Sequence, residues 1–276
     1  MNGFEIAGGT VAGRDHLRVG RNSQDAYYWE ESEDVLVAVV CDGCGSSPHS
    51  EVGAKLGAKL VVRQTLLAYL QDPKAFVSAD ETGIAPGFER LKRTLLISLS
   101  STIKDMAGSF SENVRDYFLF TILGVIVDQT HGVHLFGCGD GVYYWNGFPV
   151  HLSAPNNTPA YLSYGLIKTE MGEPELKRLC AYPGWKLQQL LLGTDGVSDL
   201  ERSHDLAIAG KEEKIGPMSQ FWEKDGFFKN PFSIGHRLAL INRSVRSVDW
   251  EKKALIEAHG PLRDDTTLIV IRGRKA

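Results

Sequence analysis

The chain has 276 residues, 43% of them hydrophobic, so it can bury a sizeable core and is not intrinsically disordered. Its 30 basic and 34 acidic residues leave a net charge of −4, which argues against general binding to nucleic acid or to a membrane surface. No apolar run reaches the roughly 18–20 residues of a membrane span, and the N-terminus lacks the basic and apolar stretches of a signal peptide. We therefore expect one cytoplasmic domain over residues 1–276.

The first part of the chain predicts strands and then two long helices. Apolar, β-branched patterns predict strands over 4–11, 26–30 and 35–41. The third of these is apolar throughout, which is typical of a strand buried on both faces. Ser50 is a candidate N-cap of a helix that ends before Pro73, and in this helix apolar residues recur at four-residue spacing beside small ones: Val52, Leu56 and Leu60. A polar connection over 72–87 leads to a second amphipathic helix over 88–106.

The second part of the chain changes to strand after strand. Apolar runs separated by turn signals predict strands over 117–127, 133–138, 142–145, 148–152, 187–192 and 267–272. Asn146-Gly147 is a strong signal for a two-residue hairpin, and residues 153–165 have the composition of a long irregular loop. Helices are predicted around 231–243 and 249–258. This order favours an α+β fold, with sheets sandwiched between helices, over a parallel βαβ array.

Aspartates stand at the ends of four apolar runs. Three runs end in an Asp-Gly pair, and the last strand begins after a pair of aspartates: Asp42-Gly43, Asp140-Gly141, Asp195-Gly196 and Asp264-Asp265. Buried strands hold their end residues rigidly, and glycine lets the backbone turn sharply beside a ligand. Neighbouring carboxylates repel one another unless cations lie between them, and such hard oxygen ligands select magnesium or manganese. The pattern therefore predicts a metal-dependent hydrolase.

Two of these local patterns also have simpler explanations. A lone Asp-Gly pair is often an ordinary turn, and Gly139-Asp140-Gly141 can serve merely as a hairpin, although turns do not explain Asp264-Asp265. The spacing Cys41-Asp42-Gly43-Cys44 allows a zinc or redox site. Against that, Cys41 ends a buried strand and no second close pair follows, which favours an ordinary core cysteine.

Five short motifs follow one another along the chain: Asn22-Ser23-Gln24-Asp25-Ala26, Asp42-Gly43-Cys44-Gly45-Ser46, Gly139-Asp140-Gly141, Thr194-Asp195-Gly196 and Asp264-Asp265-Thr266-Thr267. In this order and approximate spacing the chain resembles the type 2C metal-dependent serine/threonine phosphatases. It is most similar to a bacterial branch with Gln-Asp in the first motif and Asp-Gly-x-Gly-Ser in the second. The likeness covers residues 8–272 and implies a four-layer α-β-β-α sandwich, with two central, mostly antiparallel sheets and a two-metal cluster at one end.

The resemblance implies a set of metal ligands. Asp42 would bridge two Mg or Mn ions, and the Gly43 carbonyl would bind one of them. Asp195 and Asp264 would complete the protein ligands of the other ion. Asp140 matches the position that holds a third, weaker metal in bacterial relatives. Two such ions activate a bridging water and neutralise the phosphoryl oxygens during in-line attack.

The first motif is expected to act in catalysis. By the same resemblance, Asp25 would orient metal-bound water from behind the ligands. Gln24 stands where many relatives carry glutamate, and because a neutral amide is a poorer ligand, one ion would be bound more weakly. It acts either as a ligand or as a hydrogen-bonding support.

Two further positions depart from the family pattern. Cys44 replaces a histidine that some relatives offer as an acid. Either His16 or His49 substitutes for it, or metal-bound water suffices. Gly20 stands where the phosphate-binding arginine is usual. The remaining candidates for contact with the substrate are Arg18, Arg21 and His16, and the alternative is that these arginines belong to an ordinary solvated loop.

The leading hypothesis is therefore a Mg- or Mn-dependent protein serine/threonine phosphatase. The resemblance implies phosphorylated proteins as substrates, such as a bacterial kinase or its targets. A second hypothesis is a degenerate phosphatase that binds phosphoprotein without turnover, which the residues Gln24 and Cys44 motivate. A third is a phosphatase of small phosphorylated metabolites, which the same metal site would serve.

Overall fold

Two five-stranded antiparallel sheets lie face to face between layers of helices. The computed structural model describes residues 3–32, 34–77, 85–154, 158–170, 172–251 and 253–274. The strands are β1 (Phe4–Val11), β2 (Ala26–Ser32), β3 (Val35–Cys41), β4 (Ile122–Asp128), β5 (Gly132–Cys138), β6 (Gly141–Trp145), β7 (Phe148–Leu152), β8 (Lys177–Tyr182), β9 (Gln189–Gly193), β10 (Val245–Asp249), β11 (Ala254–Ala258) and β12 (Thr266–Gly273). The helices are α1 (Arg14–Arg18), α2 (Ser50–Gln71), α3 (Lys74–Val77), α4 (Pro86–Lys104), α5 (Phe110–Tyr117), α6 (Val197–Arg202), α7 (Gln220–Glu223), α8 (Gly226–Lys229) and α9 (Ser233–Ile241).

The order of strands differs between the two sheets. Sheet I has the order β1-β12-β9-β6-β7, and sheet II has the order β2-β3-β4-β5-β8. A separate two-stranded hairpin, β10–β11, lies outside both sheets. Three apolar clusters fill the spaces between layers: one under α2 and α4 on sheet II, one between the sheets, and one under α9 on sheet I. The α-β-β-α sandwich implied by the family resemblance is confirmed.

Strand β3 is buried on both of its faces, and its sequence shows why. All of its residues are buried. Val37 and Val39 point to the cluster under the helices, whereas Leu36, Ala38 and Val40 point to the cluster between the sheets. Because successive side chains of a strand face opposite sides, only a continuously apolar run satisfies both clusters.

Helix α2 packs through its small residues. A Cβ at Gly57 would lie 2.2 Å from the ring of Phe120, so glycine permits this close approach. Val52 and Leu56, which the four-residue spacing emphasised, are exposed instead. The packed face of the helix is therefore displaced from the stripe of large residues.

Three predicted elements differ in the structure. The helix predicted over 249–258 is wrong, because β10 and β11 pair there as a hairpin (residue 252 lies outside the described residues). The strand predicted to begin at Tyr117 begins at Ile122, since α5 extends to Tyr117 and the next residues bridge to Gly43. Edge strand β8 was not predicted, because its mixed, half-exposed residues lack an apolar run.

Two predicted loops contain short helical segments. Helix α1 lies in the polar loop between β1 and β2, and α3 lies in the connection over 72–87, of which 78–84 fall outside the described residues. A single 3-10 turn over Leu162–Leu166 ends the loop predicted over 153–165, of which 155–157 are likewise not described. Among the helices in the described part of the chain, none has both the length and the apolarity needed to cross a membrane.

Candidate metal centre

Aspartates from both sheets gather at one edge of the sandwich. They lie before β2, after β3, before β6, after β9 and before β12: Asp25, Asp42, Asp140, Asp195 and Asp264. All but Asp25 line one cleft of about 250 Å³, together with Gly43 and His16. The structure thus brings together every predicted metal ligand, because each stands at the end of a strand that reaches this edge.

The loop that carries Asp42 is fixed by backbone hydrogen bonds. The Thr121 N–H donates to the Asp42 carbonyl at 2.8 Å, and the Asp42 N–H donates to Thr121 Oγ1 at 3.2 Å. A Cβ at Gly43 would lie 2.6 Å from the Gln24 carbonyl oxygen, so glycine lets the two loops touch. The loop therefore presents Asp42 to the cleft in a defined position.

The turn between β5 and β6 holds Asp140. Gly139 and Gly141 flank it with φ of +104° and +140°, values that favour glycine. Asp140 is 9% exposed, and burial followed by the charge of Asp195 raises the pKa of its carboxyl to about 6. Its carboxylate is therefore unfavourable there without a nearby cation.

Other carboxyl groups of the cleft also have raised pKa values. Burial, then the charges of Asp25 and Asp195, raise the pKa of Asp42 well above its ordinary value. Burial, then Asp264, raise the pKa of Asp195. Within the described residues Asp195 Oδ1 is buried without a hydrogen-bond partner, and an ionised Asp42 cannot donate to it. A cluster of hard oxygen donors with an orphaned oxygen fits a divalent cation such as Mg²⁺ or Mn²⁺.

Asp265 has a different task from its neighbour Asp264. Its Oδ1 accepts a hydrogen bond from the Gly13 N–H at 2.7 Å, and its Oδ2 accepts one from the Gln24 N–H at 2.5 Å. His16 Nδ1 lies 2.9 Å from Oδ2 without the alignment of a hydrogen bond. Both aspartates line the cleft, but Asp265 uses both carboxylate oxygens to hold the loop before β2 and the start of α1.

His16, Asp264 and Asp265 together form a further group of possible ligands. Their ligand atoms lie within 4.8 Å of one another. Because backbone N–H groups already occupy both oxygens of Asp265, this group extends the cleft and is not a separate centre.

Asp25 and Gln24 lie behind the cleft. Asp25 is buried, and its Oδ2 accepts a hydrogen bond from Thr194 Oγ1 at 2.7 Å. Burial, then the charge of Asp265, raise the pKa of Asp25. Gln24 Nε2 donates to the Ser47 carbonyl at 2.9 Å and to Ser50 Oγ at 2.6 Å. The Gln24 amide is thus placed as a support for the start of α2.

The two predicted arginines lie in different places, and only one of them is beside the cleft. Arg21 Nη1 donates to the Gly45 carbonyl at 2.9 Å and so lies beside the cleft. Arg18 lies on the other side of α1, among the residues of a different depression. Sequence reasoning missed Arg202 and Arg263, which line a depression adjoining the cleft with His16 and Asp264. The position of Arg263 directly before Asp264 was the available signal.

The two cysteines of the second motif lie in different environments. Cys41 is buried in the core under the helices, as the simpler explanation predicted. Cys44 lines the cleft together with Tyr161, and its Sγ lies 3.1 Å from Ser46 Oγ. Burial opposes ionisation of Cys44, but hydrogen bonds from Ser46 and Tyr161 outweigh it and lower the pKa of the thiol.

Both sheets of the α-β-β-α sandwich contribute aspartates to one cleft, and this arrangement is typical of phosphatase-like folds. The chain matches the family Protein phosphatase 2C over residues 12–227 and belongs to that family. The family named from the motifs is thereby confirmed: the match covers the first four motifs, and the bacterial branch stays a prediction. No curated protein sequence matches the chain.

Several solved structures are similar to this chain. A C. elegans sex-determining protein shares 13% identity at a TM-score of 0.50, over 99% of this chain and 65% of that one. The photosystem II phosphatase PBCP shares 13% identity at a TM-score of 0.48, over 99% of both chains. RsbX in complex with magnesium shares 11% identity at a TM-score of 0.45, over 99% of this chain and 97% of that one. At these identities the likeness concerns the fold alone.

Proposed function

We propose that this protein is a Mg²⁺- or Mn²⁺-dependent phosphatase that hydrolyses phosphoserine and phosphothreonine in proteins. The observation that carries the proposal is the cleft in which Asp42, Asp140, Asp195 and Asp264 meet. Burial, and then the charge of neighbouring carboxylates, raise the pKa of these carboxyl groups, and Asp195 Oδ1 is buried without a partner among the described residues. Membership of the Protein phosphatase 2C family supports the same reading.

Each of the two sheets would supply ligands to the bound ions. Asp42 and the Gly43 carbonyl would hold ions from sheet II, and Asp195 and Asp264 would hold them from sheet I. Asp140 lies at the crossing between the sheets and is the candidate ligand of a third ion. Two bound ions supply an activated water and neutralise the charge of the phosphoryl oxygens.

The other residues would orient and attract the reactants. Asp25 is held by Thr194 and accepts hydrogen bonds, so its carboxylate can orient a water that enters the cleft. Arg21, Arg202 and Arg263 lie around the entrance, but Arg202 pairs with Asp199 and Arg263 with Asp15. The bound ions would therefore supply most of the positive charge that attracts a dianionic phosphate ester.

The structure bears on the alternative of an inactive phosphoprotein-binding regulator. That alternative depends on Gln24 and Cys44 in place of the more usual glutamate and histidine. Gln24 lies behind the cleft with its amide bound to Ser47 and Ser50, so its neutrality removes no carboxylate from the cleft wall. Cys44 does line the cleft, and it is therefore the residue on which the alternative now rests.

Hydrolysis of p-nitrophenyl phosphate and of a phosphothreonine peptide tests the proposal. Each is measured with manganese, with magnesium and with chelator, alongside the variant Asp42→Asn. We expect turnover that requires a divalent cation and disappears with chelator or in the variant. Absence of turnover, while calorimetry detects bound manganese, would instead favour the phosphoprotein-binding regulator and make binding of a phosphoprotein the next measurement.

A further inference from the structure

A second depression lies across helix α1 from the metal centre. His16 lines the cleft, whereas Arg14, Leu17 and Arg18 line the other depression. Successive residues of a helix are turned by about 100° from one another, so Arg14, Leu17 and Arg18 share one side of α1 and His16 the other. One short helix thus separates the two depressions.

This depression, which we call the basic pocket, has a volume of about 350 Å³ and lies between α1 and the base of the β10–β11 hairpin. The charged and titratable residues that line it come from both elements and the segment after β11: Arg14, Arg18, Arg246, Glu257 and His259. Three guanidinium groups therefore face one carboxylate. A local excess of positive charge is notable in a chain whose net charge is −4.

The arginines of the basic pocket differ in how far they are neutralised. Arg246 forms an ion pair with Glu257 across the hairpin. Arg14 Nη1 donates to the Gly260 carbonyl at 3.3 Å, and its Nε lies 3.7 Å from Asp15 Oδ1. Within the described part of the chain, the exposed guanidinium of Arg18 makes no ion pair or hydrogen bond. The pocket can therefore accept further negative charge.

The hairpin adds apolar surface to this charge. Arg246 pairs with Glu257 across the strands, and Val248 pairs with Leu255 two residues further on, so both pairs lie on the same face. Val248 is 48% exposed, Leu255 is 61% exposed, and Leu17 in α1 is 57% exposed. Exposed apolar side chains grouped beside charges are typical of a surface that binds protein.

We propose that the basic pocket binds an acidic, unphosphorylated segment of the protein substrate while the phosphorylated residue occupies the metal centre. The inference rests on the proposed function. Carboxylates of the segment bind Arg18 and Arg246, and an adjacent apolar residue packs on Val248 and Leu255. A helix is about 10 Å across and an extended chain advances about 3.3 Å per residue, so the acidic residues lie about three to four positions from the phosphoresidue.

The ion pair Arg246–Glu257 offers a matched pair of variants. Arg246→Gln removes positive charge from the pocket, whereas Glu257→Gln removes negative charge, and both break the same ion pair. The substrates are phosphothreonine peptides with two glutamates, or two glutamines, three and four positions away. For the glutamate peptide we expect KM to rise about 2- to 5-fold in Arg246→Gln and to fall in Glu257→Gln. Neither variant should change KM for the glutamine peptide or turnover of p-nitrophenyl phosphate.

Opposite shifts in KM for the glutamate peptide distinguish a docking site from a structural role, because loss of the ion pair alone would shift KM of both variants in the same direction. Equal shifts, or equal effects on the two peptides, would overturn the proposal. A peptide with a second phosphoserine in place of the glutamates tests the other anion, and a lower KM for it than for the glutamate peptide would reassign the pocket to phosphate.

A binding measurement without catalysis separates this inference from the proposed function. Fluorescence anisotropy of a labelled octaglutamate peptide is measured with the full chain in chelator, at low and at high salt. We expect binding that weakens in Arg246→Gln, strengthens in Glu257→Gln and is lost at high salt. Binding of this kind by a protein that hydrolyses no phosphate ester would overturn the proposed function only, whereas an active phosphatase that does not bind the peptide would overturn the docking site.

Discussion

Thr194 Oγ1 donates a hydrogen bond of 2.7 Å to Oδ2 of Asp25, and this bond joins the two sheets beside the acidic cleft. Thr194 directly follows β9 of sheet I, whereas Asp25 directly precedes β2 of sheet II. Both side chains are buried, and the Thr267 N–H donates to the same hydroxyl at 3.1 Å. The threonine therefore fixes the orientation of a carboxylate whose burial would otherwise leave it short of donors.

Replacement of this threonine tests the role of Asp25. Thr194→Val removes the hydroxyl with little change in shape, so we expect the free energy of unfolding to fall by about 1–3 kcal/mol. Because Asp25 is proposed to orient the reacting water, loss of its support should lower kcat for p-nitrophenyl phosphate about 10- to 100-fold. The control Thr194→Ser keeps the hydroxyl and should retain most activity. Equal kcat in the valine variant and the wild type would show that this contact does not serve catalysis.

The carboxylate of Asp42 should have opposite effects on thermal stability with and without metal. Asp42→Asn removes a buried charge that its neighbours disfavour, so the melting temperature in chelator should rise or stay unchanged. With manganese, the wild type should gain stability by binding the ion, and the variant should gain much less. Turnover should fall by about 100-fold or more. Thermal melts with and without manganese decide the point, and an equal gain in both proteins would exclude Asp42 as a ligand.

Gln24 is expected to act as a support and not as a ligand. In Gln24→Glu the new carboxylate would face the Ser47 carbonyl, which accepts a hydrogen bond from the present amide at 2.9 Å. We expect the free energy of unfolding to fall by about 1–3 kcal/mol, without tighter binding of manganese. Chemical denaturation and a manganese titration of activity give the two quantities. A lower manganese midpoint in the variant would show instead that residue 24 reaches an ion.

His134 should contribute to the loss of stability in acid. It is buried in β5 with Nε2 3.1 Å from the His131 carbonyl oxygen, and burial lowers the pKa of its imidazole despite that contact. The folded state disfavours protonation of His134. Its contribution to the free energy of unfolding is therefore present in full above the unfolded pKa of about 6.5, and is lost as the pH falls from there through the folded pKa.

The variant His134→Gln carries no titrating group, so its free energy of unfolding should fall less steeply than that of the wild type between pH 7 and pH 5. Urea unfolding at several pH values measures both slopes. Parallel curves for the two proteins would assign the acid sensitivity to other groups.

The convergence of the aspartates could be predicted because it follows from strand ends. Residues 35–41 and 187–192 are apolar runs with little ambiguity, and each runs directly into its aspartate. Of the pair Asp264-Asp265, the family resemblance implied Asp264 as a metal ligand, and the sequence did not predict a role for Asp265. Asp265 accepts a hydrogen bond from the Gly13 N–H, and a partner so far away in sequence leaves no local signal.

The errors share a physical cause in pairing that local propensity does not specify, in one case across a short hairpin and in the other with a distant segment. Residues 249–258 include Glu251, Ala254 and Leu255, which favour a helix locally, yet cross-strand pairs such as Arg246 with Glu257 form a hairpin. Likewise the apolar residues 118–121 resemble a strand, but they bridge to the loop of Asp42. Local propensity cannot reveal a partner that lies more than 70 residues away.

The insertion of β12 between β1 and β9 bears on how the protein is made. During synthesis β1 emerges early, but it stays unpaired on its inner edge until residues 266–273 have left the ribosome. The same segment brings Asp264 and Asp265, so the nascent chain cannot assemble the cleft before these residues have been translated. The proposed activity therefore arises only after translation has passed this strand, and a prematurely terminated chain would dephosphorylate nothing.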